Sequence, residues 1–106
     1  MNHEQEMQRC IDECRNCATE CRNCEAKCRE HGMDACAEAC HTCHQACEAC
    51  AEAMQGGSMA ECAGCADACA RCAAECERHP DHEHCVRCAE ACRRCEESCR
   101  AMAVAA

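Results

Sequence analysis

Thiols set alternately three and four residues apart form a ligand array for soft metal ions, and the cysteines of this chain, twenty-one of its 106 residues, are spaced in that way. They fall into four runs. The first holds Cys10, Cys14, Cys17, Cys21, Cys24 and Cys28, and the second Cys36, Cys40, Cys43, Cys47 and Cys50. The third holds Cys62, Cys65, Cys69, Cys72 and Cys76, and the fourth Cys85, Cys88, Cys92, Cys95 and Cys99. Within them lie nine C-x-x-x-C pairs: Cys10/Cys14, Cys17/Cys21, Cys24/Cys28, Cys36/Cys40, Cys43/Cys47, Cys65/Cys69, Cys72/Cys76, Cys88/Cys92 and Cys95/Cys99. On a helix the Cβ atoms of such a pair stand roughly 5 to 6 Å apart, so two sulfurs can straddle one ion and a single helix can supply a complete site.

Charge and geometry choose among the metals. Zinc takes four ligands, so twenty thiolates would form at most about five tetrahedral sites, each with two net negative charges if fully thiolate. Holding that charge unpaired in a dry interior costs several kcal/mol per ion. Cu(I) is monovalent and accepts two nearly collinear thiolates. Where thiolates bridge between ions the metal-to-sulfur ratio approaches one and the core becomes neutral, so loading should lie between about 10 and about 20 ions. A metallothionein-like zinc or cadmium buffer is the second metal-binding reading. Iron–sulfur electron transfer fits less well, since cluster ligands usually sit on loops. A redox protein with disulfides across its core is geometrically allowed, but the odd cysteine count opposes it. Nothing resembles an enzyme site: there is no glycine-rich phosphate loop and no nucleophile beside a candidate base.

Residues three and four apart share one face of a helix, so each run is a thiol stripe and the elements that carry the stripes must be helices. The expected helices cover about 3–30, 33–55, 59–78 and 82–102, in one domain spanning 1–106. Asn2 with Gln5 could cap the first, and His31-Gly32 ends it. Gly56-Gly57 stops the second, Ser58 with Glu61 reads as a capping box for the third, and Asp81 can cap the fourth, which should fray into its alanine-rich tail. Three short connections require antiparallel neighbours. The fold class is therefore all-α, an antiparallel up-down-up-down four-helix bundle with a cysteine-lined core.

Phe, Trp, Tyr and Leu are absent, so the core must be built from Cys, Met and Ala or from what the cysteines bind. The metal-free column of neutral thiols can still pack, so folding before metal binding is expected. A net charge of -9 argues against nucleic acid as a partner. The first residues show neither a secretory signal nor a membrane span, which favours a cytoplasmic location, where many cysteines in register read as metal ligands before disulfides. Alanine or glycine at Ala63, Gly64, Ala66, Ala68, Ala70, Ala73 and Ala74 gives the third helix a face suited to a second protomer.

Extending each stripe beyond its last cysteine reveals an asymmetry. Met7, Met54, Met59 and Met102 are the next seam residues at one end of an antiparallel bundle. His31, Met33, His79 and His82 are the next at the other, with His84 close by. One end is thioether and the other mostly imidazole. His79, His82 and His84 are candidate ligands beside the cysteines, and metal should load mainly through their end. His41 and His44 fall off the seam and read as solvated surface. His3 is in register at the Met end but sits at a terminus.

Four cysteine-striped helices with repeated C-x-x-x-C pairs and histidines in the third loop make this chain resemble the bacterial copper storage proteins, over essentially its whole length. The resemblance implies a four-helix bundle that fills its interior with Cu(I), in the cytosolic branch of the family. It further implies that His79, His82 and His84 line the mouth where copper enters, and that the protein forms a homo-oligomer, a tetramer. Copper ions, with a copper chaperone to deliver them, are the expected partners. The chain departs from the family in having no aromatic or leucine plug at its other end, which leaves the Met-lined end as a second entrance or a set of weak outer sites.

Overall fold

A computed structural model describes residues 3–105. Four helices follow one another: α1 (His3–Glu30), α2 (Asp34–Gln55), α3 (Cys62–Glu77) and α4 (Glu83–Ala105). Helix rise alone makes the 28 residues of α1 about 42 Å long, and the molecule measures 42 × 20 × 17 Å, so α1 runs its whole length. Each helix packs its backbone on two neighbours in the cyclic order α1, α2, α3, α4, and among the described residues the diagonal pairs meet only through their sulfurs across the central axis, as at Cys21–Cys72 and Cys43–Cys92. That is the four-helix bundle the stripes demand.

Two turns close with the same device. The Met33 amide donates to the Cys28 carbonyl at 2.8 Å, and the Ser58 amide to the Ala53 carbonyl at 2.9 Å. Both six-residue closures need a left-handed residue inside them, supplied by Gly32 (φ 70°) and Gly57 (φ 87°). The third helix starts later than expected. The Ser58 hydroxyl accepts from the Ala60 amide at 3.2 Å, too early to cap, and no side chain caps α3, which begins at Cys62 behind Glu61. The capping box is therefore replaced by a short turn over 58–61. Asp81 makes no capping bond either. The His82 carbonyl accepts from the Cys85 and Val86 amides at 3.0 and 3.1 Å, which places a histidine, not the aspartate, at the start of α4. Nor does α4 end at Met102: it continues to Ala105, since alanine is the best helix former. The Asn2 cap lies outside the described residues.

Every cysteine is buried, joined in one core by Ile11, Met54, Met102 and a few alanines. Among the described residues no polar or charged one is buried with them. The alanine face of α3 is divided. Ala66, Ala68 and Ala73 are buried within the bundle, whereas Ala63, Gly64 and Ala74 remain exposed. Three of the seven positions of that stripe thus serve close packing inside the chain, and Ala70 is half-buried. None of the helices is long and apolar enough to cross a membrane.

Candidate metal centre

All twenty-one cysteines are free thiols. Their sulfurs form a continuous lattice. Cys17 on α1 lies 3.9 Å from Cys21, 4.0 Å from Cys43 of α2 and 3.7 Å from Cys92 of α4. Cys43 in turn lies 3.8 Å from Cys69 of α3, so one layer joins all four helices. The lattice runs from Cys10–Cys99 at 3.7 Å and Cys50–Cys62 at 3.7 Å near one end to Cys36–Cys85 at 3.8 Å near the other. These separations are nearly twice a disulfide bond of about 2.05 Å.

The C-x-x-x-C pairs are not the privileged units that their spacing suggests. Within helices, Cys24–Cys28 is 3.7 Å and Cys43–Cys47 4.0 Å; across helices, Cys14–Cys95 is 3.6 Å and Cys21–Cys88 3.7 Å. Bundle packing brings sulfurs from different helices as close as those one turn apart. With metal–sulfur bonds of about 2.3 Å, a trigonal site needs sulfurs about 4.0 Å apart and a collinear pair about 4.6 Å. The observed lattice is close to the trigonal edge, and a collinear pair requires the side chains to open.

Shared sulfurs are built in. Cys17, Cys21, Cys43 and Cys92 form one set whose ligand atoms lie within 4.8 Å of one another, and Cys17, Cys43, Cys47 and Cys69 form another. Both sets use Cys17 and Cys43, which is the arrangement bridging needs. It could not be read from spacing, because the common members come from α1 and α2.

Burial keeps four thiols near the ends of the empty lattice protonated: desolvation pushes Cys28, Cys36 and Cys85 up, and Cys62 up to about 12, whereas the S–H groups of Cys14 and Cys99 hold the neighbouring Cys10 down. In the middle a thiolate can be held only by the S–H groups facing it. Cys21 and Cys43 hold the Cys17 thiol down, and the same contact with Cys17 pushes Cys21 up. Ionisation of one sulfur therefore opposes ionisation of the next until a cation arrives.

At the His end the rings cluster. His31 and His82 have centroids 5.5 Å apart, His82 and His84 5.3 Å, His31 and His84 5.9 Å in a stack, and His79 and His82 6.4 Å. His84 reaches furthest in. Its ring joins Cys24, Cys28 and Cys85 in a set of ligand atoms within 4.8 Å of one another, and its Nε2 is buried without a hydrogen-bond partner. Burial holds the His84 pKa below the usual imidazole value, leaving a neutral ring with a lone pair to offer. Around it Asn23, Lys27, Asp81 and Arg87 line an open groove. Sequence reasoning missed Glu75, whose Oε2 lies 3.2 Å from His79 Nε2 and orients that ring. The signal was present, since Glu75 and His79 stand four apart on one helix.

At the opposite end Met54 and Met102 are 1% and 2% exposed, and Met7 and Met59 pack against the same core. The Met end is thus a lid of thioethers and not an open second mouth. His44 also departs from expectation. It is not solvated: its side chain is 13% exposed, between Glu25 and Glu48.

A family model described as copper storage protein matches residues 3–104. The chain is similar in structure to the Cu(I)-bound copper storage protein BsCsp3, with 38% identity, a TM-score of 0.86, and coverage of 92% of this chain and 97% of that one. It is similar also to a cytosolic copper storage protein from Streptomyces lividans with five coppers, at 35% identity, TM-score 0.86 and 92% coverage of both chains. The Streptomyces lividans protein loaded with 10 copper equivalents gives 35% identity and TM-score 0.86, over 94% of this chain and 85% of that one. Among curated proteins nothing matches.

Proposed function

We infer how this chain works from the premise that it belongs to the copper storage protein family. It stores multiple Cu(I) ions inside a four-helix bundle through cysteine thiolates. The finer reading follows from one observation, the lattice of buried sulfurs 3.6 to 4.0 Å apart that crosses all four helices. In it each entering Cu(I) ion bonds to sulfur and displaces a thiol proton, so that charge is conserved as the column fills. We assign the twenty-one cysteines as the ligands, with sulfurs such as Cys17 and Cys43 bridging between ions, and His84 as a ligand with Cys24, Cys28 and Cys85 at the His end.

Copper enters at that end, where His31, His79, His82 and His84 pass it to the first thiols. The role is storage with no catalysis. Like its Streptomyces lividans relative the protein works in the cytosol, where a copper chaperone supplies the metal. The exposed Ala63, Gly64 and Ala74 of α3 support assembly into a tetramer, to be checked by light scattering.

An anaerobic Cu(I) titration against a competing chelator tests the reading. Saturation between about 10 and 20 ions per chain is expected. Saturation near five divalent ions with no cuprous preference would instead make the protein a zinc or cadmium buffer. A thiol assay returning mostly disulfide in anaerobically purified protein would make it a redox protein.

A further inference from the structure

On the outer face between α1 and α2, away from the thiol column, two histidines converge on one carboxylate. His41 and His44 stand three apart on α2, so their rings emerge from one side, with centroids 5.1 Å apart and planes at 86°. His41 Nδ1 lies 3.4 Å from Oε1 and 3.2 Å from Oε2 of Glu25 on α1, and His44 Nε2 lies 3.2 Å from Oε1. Arg29 donates to Oε2 at 2.8 and 3.2 Å, which leaves Oε1 facing both imidazole nitrogens.

The dimensions are those of a metal site. Two ligands each about 2.0 to 2.1 Å from a tetrahedral zinc ion stand about 3.3 to 3.4 Å apart, and Glu25 Oε1 lies 3.4 and 3.2 Å from the two imidazole nitrogens before any ion is present. The back of the site is prepared as well. His44 Nδ1 is buried without a hydrogen-bond partner and lies 3.7 Å from Glu48 Oε2. A metal-bound histidine donates its other ring N–H to a carboxylate, and Glu48, itself paired with Arg22, stands where that acceptor belongs. Neutral nitrogen and anionic oxygen suit a borderline divalent ion, whereas Cu(I) finds softer ligands in the core.

We propose that Glu25, His41 and His44 form a second metal site, separate from the copper store, which binds one borderline divalent cation such as Zn2+ with Glu48 as the orienting carboxylate. One ion held by Glu25 of α1 and both histidines of α2 clips these helices together from outside. Its side chains differ from those of the copper column, so both can be occupied at once.

Zn2+ titration of the Cu(I)-filled chain tests this, because filled thiols no longer compete. The background carries H31Q, H79Q, H82Q and H84Q to remove the histidines of the mouth. One Zn2+ per chain is expected, with affinity falling about tenfold or more in H41Q/H44Q and in E25Q. Zinc X-ray absorption on the same background should give nitrogen and oxygen at about 2.0 to 2.1 Å and no sulfur, and this readout requires no substitution at the site itself. Absence of saturable zinc, zinc binding unchanged by H41Q/H44Q, or sulfur in the zinc shell would each overturn the proposal.

Discussion

The two ends of the thiol column are reached by the same seam registers but finish in different chemistry. At one, Met54 and Met102 are 1% and 2% exposed and continue the core as thioethers. At the other, four imidazoles crowd within ring distances of 5.3 to 6.4 Å, with His31 exposed and His79, His82 and His84 partly buried, and among them only His84 has a buried nitrogen without a hydrogen-bond partner. The difference teaches what makes an end a lid or a mouth. A thioether carries no proton and loses little by desolvation, so it packs. An imidazole keeps two polar nitrogens, of which one can stay in water while the other meets an ion. Closure and access are therefore set by residue type at positions equivalent in the fold.

The largest expected effect is one in which the two ends behave alike. Burial raises Cys62 near the Met end to about 12, and raises Cys28, Cys36 and Cys85 near the His end. A thiol raised on folding contributes stability that is complete below its unfolded pKa of about 8.5 and is lost as pH rises through the folded value. Metal-free protein should accordingly lose its helicity between about pH 9 and 12, monitored by anaerobic circular dichroism, while copper-loaded protein resists. Equal alkaline sensitivity of the two forms would show that the empty column is not a neutral one.

Next in size are the lids. Met54→Ala and Met102→Ala should each destabilise the metal-free bundle by about 2 to 5 kcal/mol in denaturant melts, because a buried side chain is replaced by a cavity. Copper uptake should be no slower. If uptake slowed, the Met end would be a path and the contrast between the ends would fail.

The mouth comes third. Substituting His31, His79, His82 and His84 together with Gln should slow Cu(I) uptake or release about tenfold, equivalent to about 1.4 kcal/mol in barrier, in stopped-flow transfer from a chelator. Capacity should fall by no more than the ions held at the His84 layer. A collapse of capacity would mean that these rings organise the core and do not merely admit metal.

The smallest effect belongs to the outer surface near the His end, where Arg93 of α4 donates to Glu77 of α3 at 2.8 and 3.0 Å. Those hydrogen bonds hold the Glu77 carboxyl below its usual range, so their contribution is present above the unfolded carboxyl pKa and fades as pH falls. Both side chains are nearly half exposed, and Arg93→Ala should cost less than about 1 kcal/mol at neutral pH.

Most of the fold was legible in the cysteine spacing, because a three-four alternation leaves a thiol face no stable solution except against other helices. The turns were legible where a glycine had to adopt positive φ, as at Gly32 and Gly57. They were not where capping depended on a one-residue offset, as at Ser58, or on a loop that replaced Asp81 with the His82 carbonyl. The end residues were legible by register. The Glu25–His41–His44 cluster was not, since Glu25 belongs to another helix and no local pattern points to it.

By itself the sequence determined that there would be four helices, one thiol face on each, and methionine or histidine at the ends, because helical period and residue chemistry are local properties. Only the tertiary structure decided which sulfurs meet. Sulfurs such as Cys14 and Cys95 lie far apart in the chain and 3.6 Å apart in space, closer than the pairs one turn apart on a single helix. Packing geometry across helices, which no spacing records, turns four stripes into one lattice with shared sulfurs.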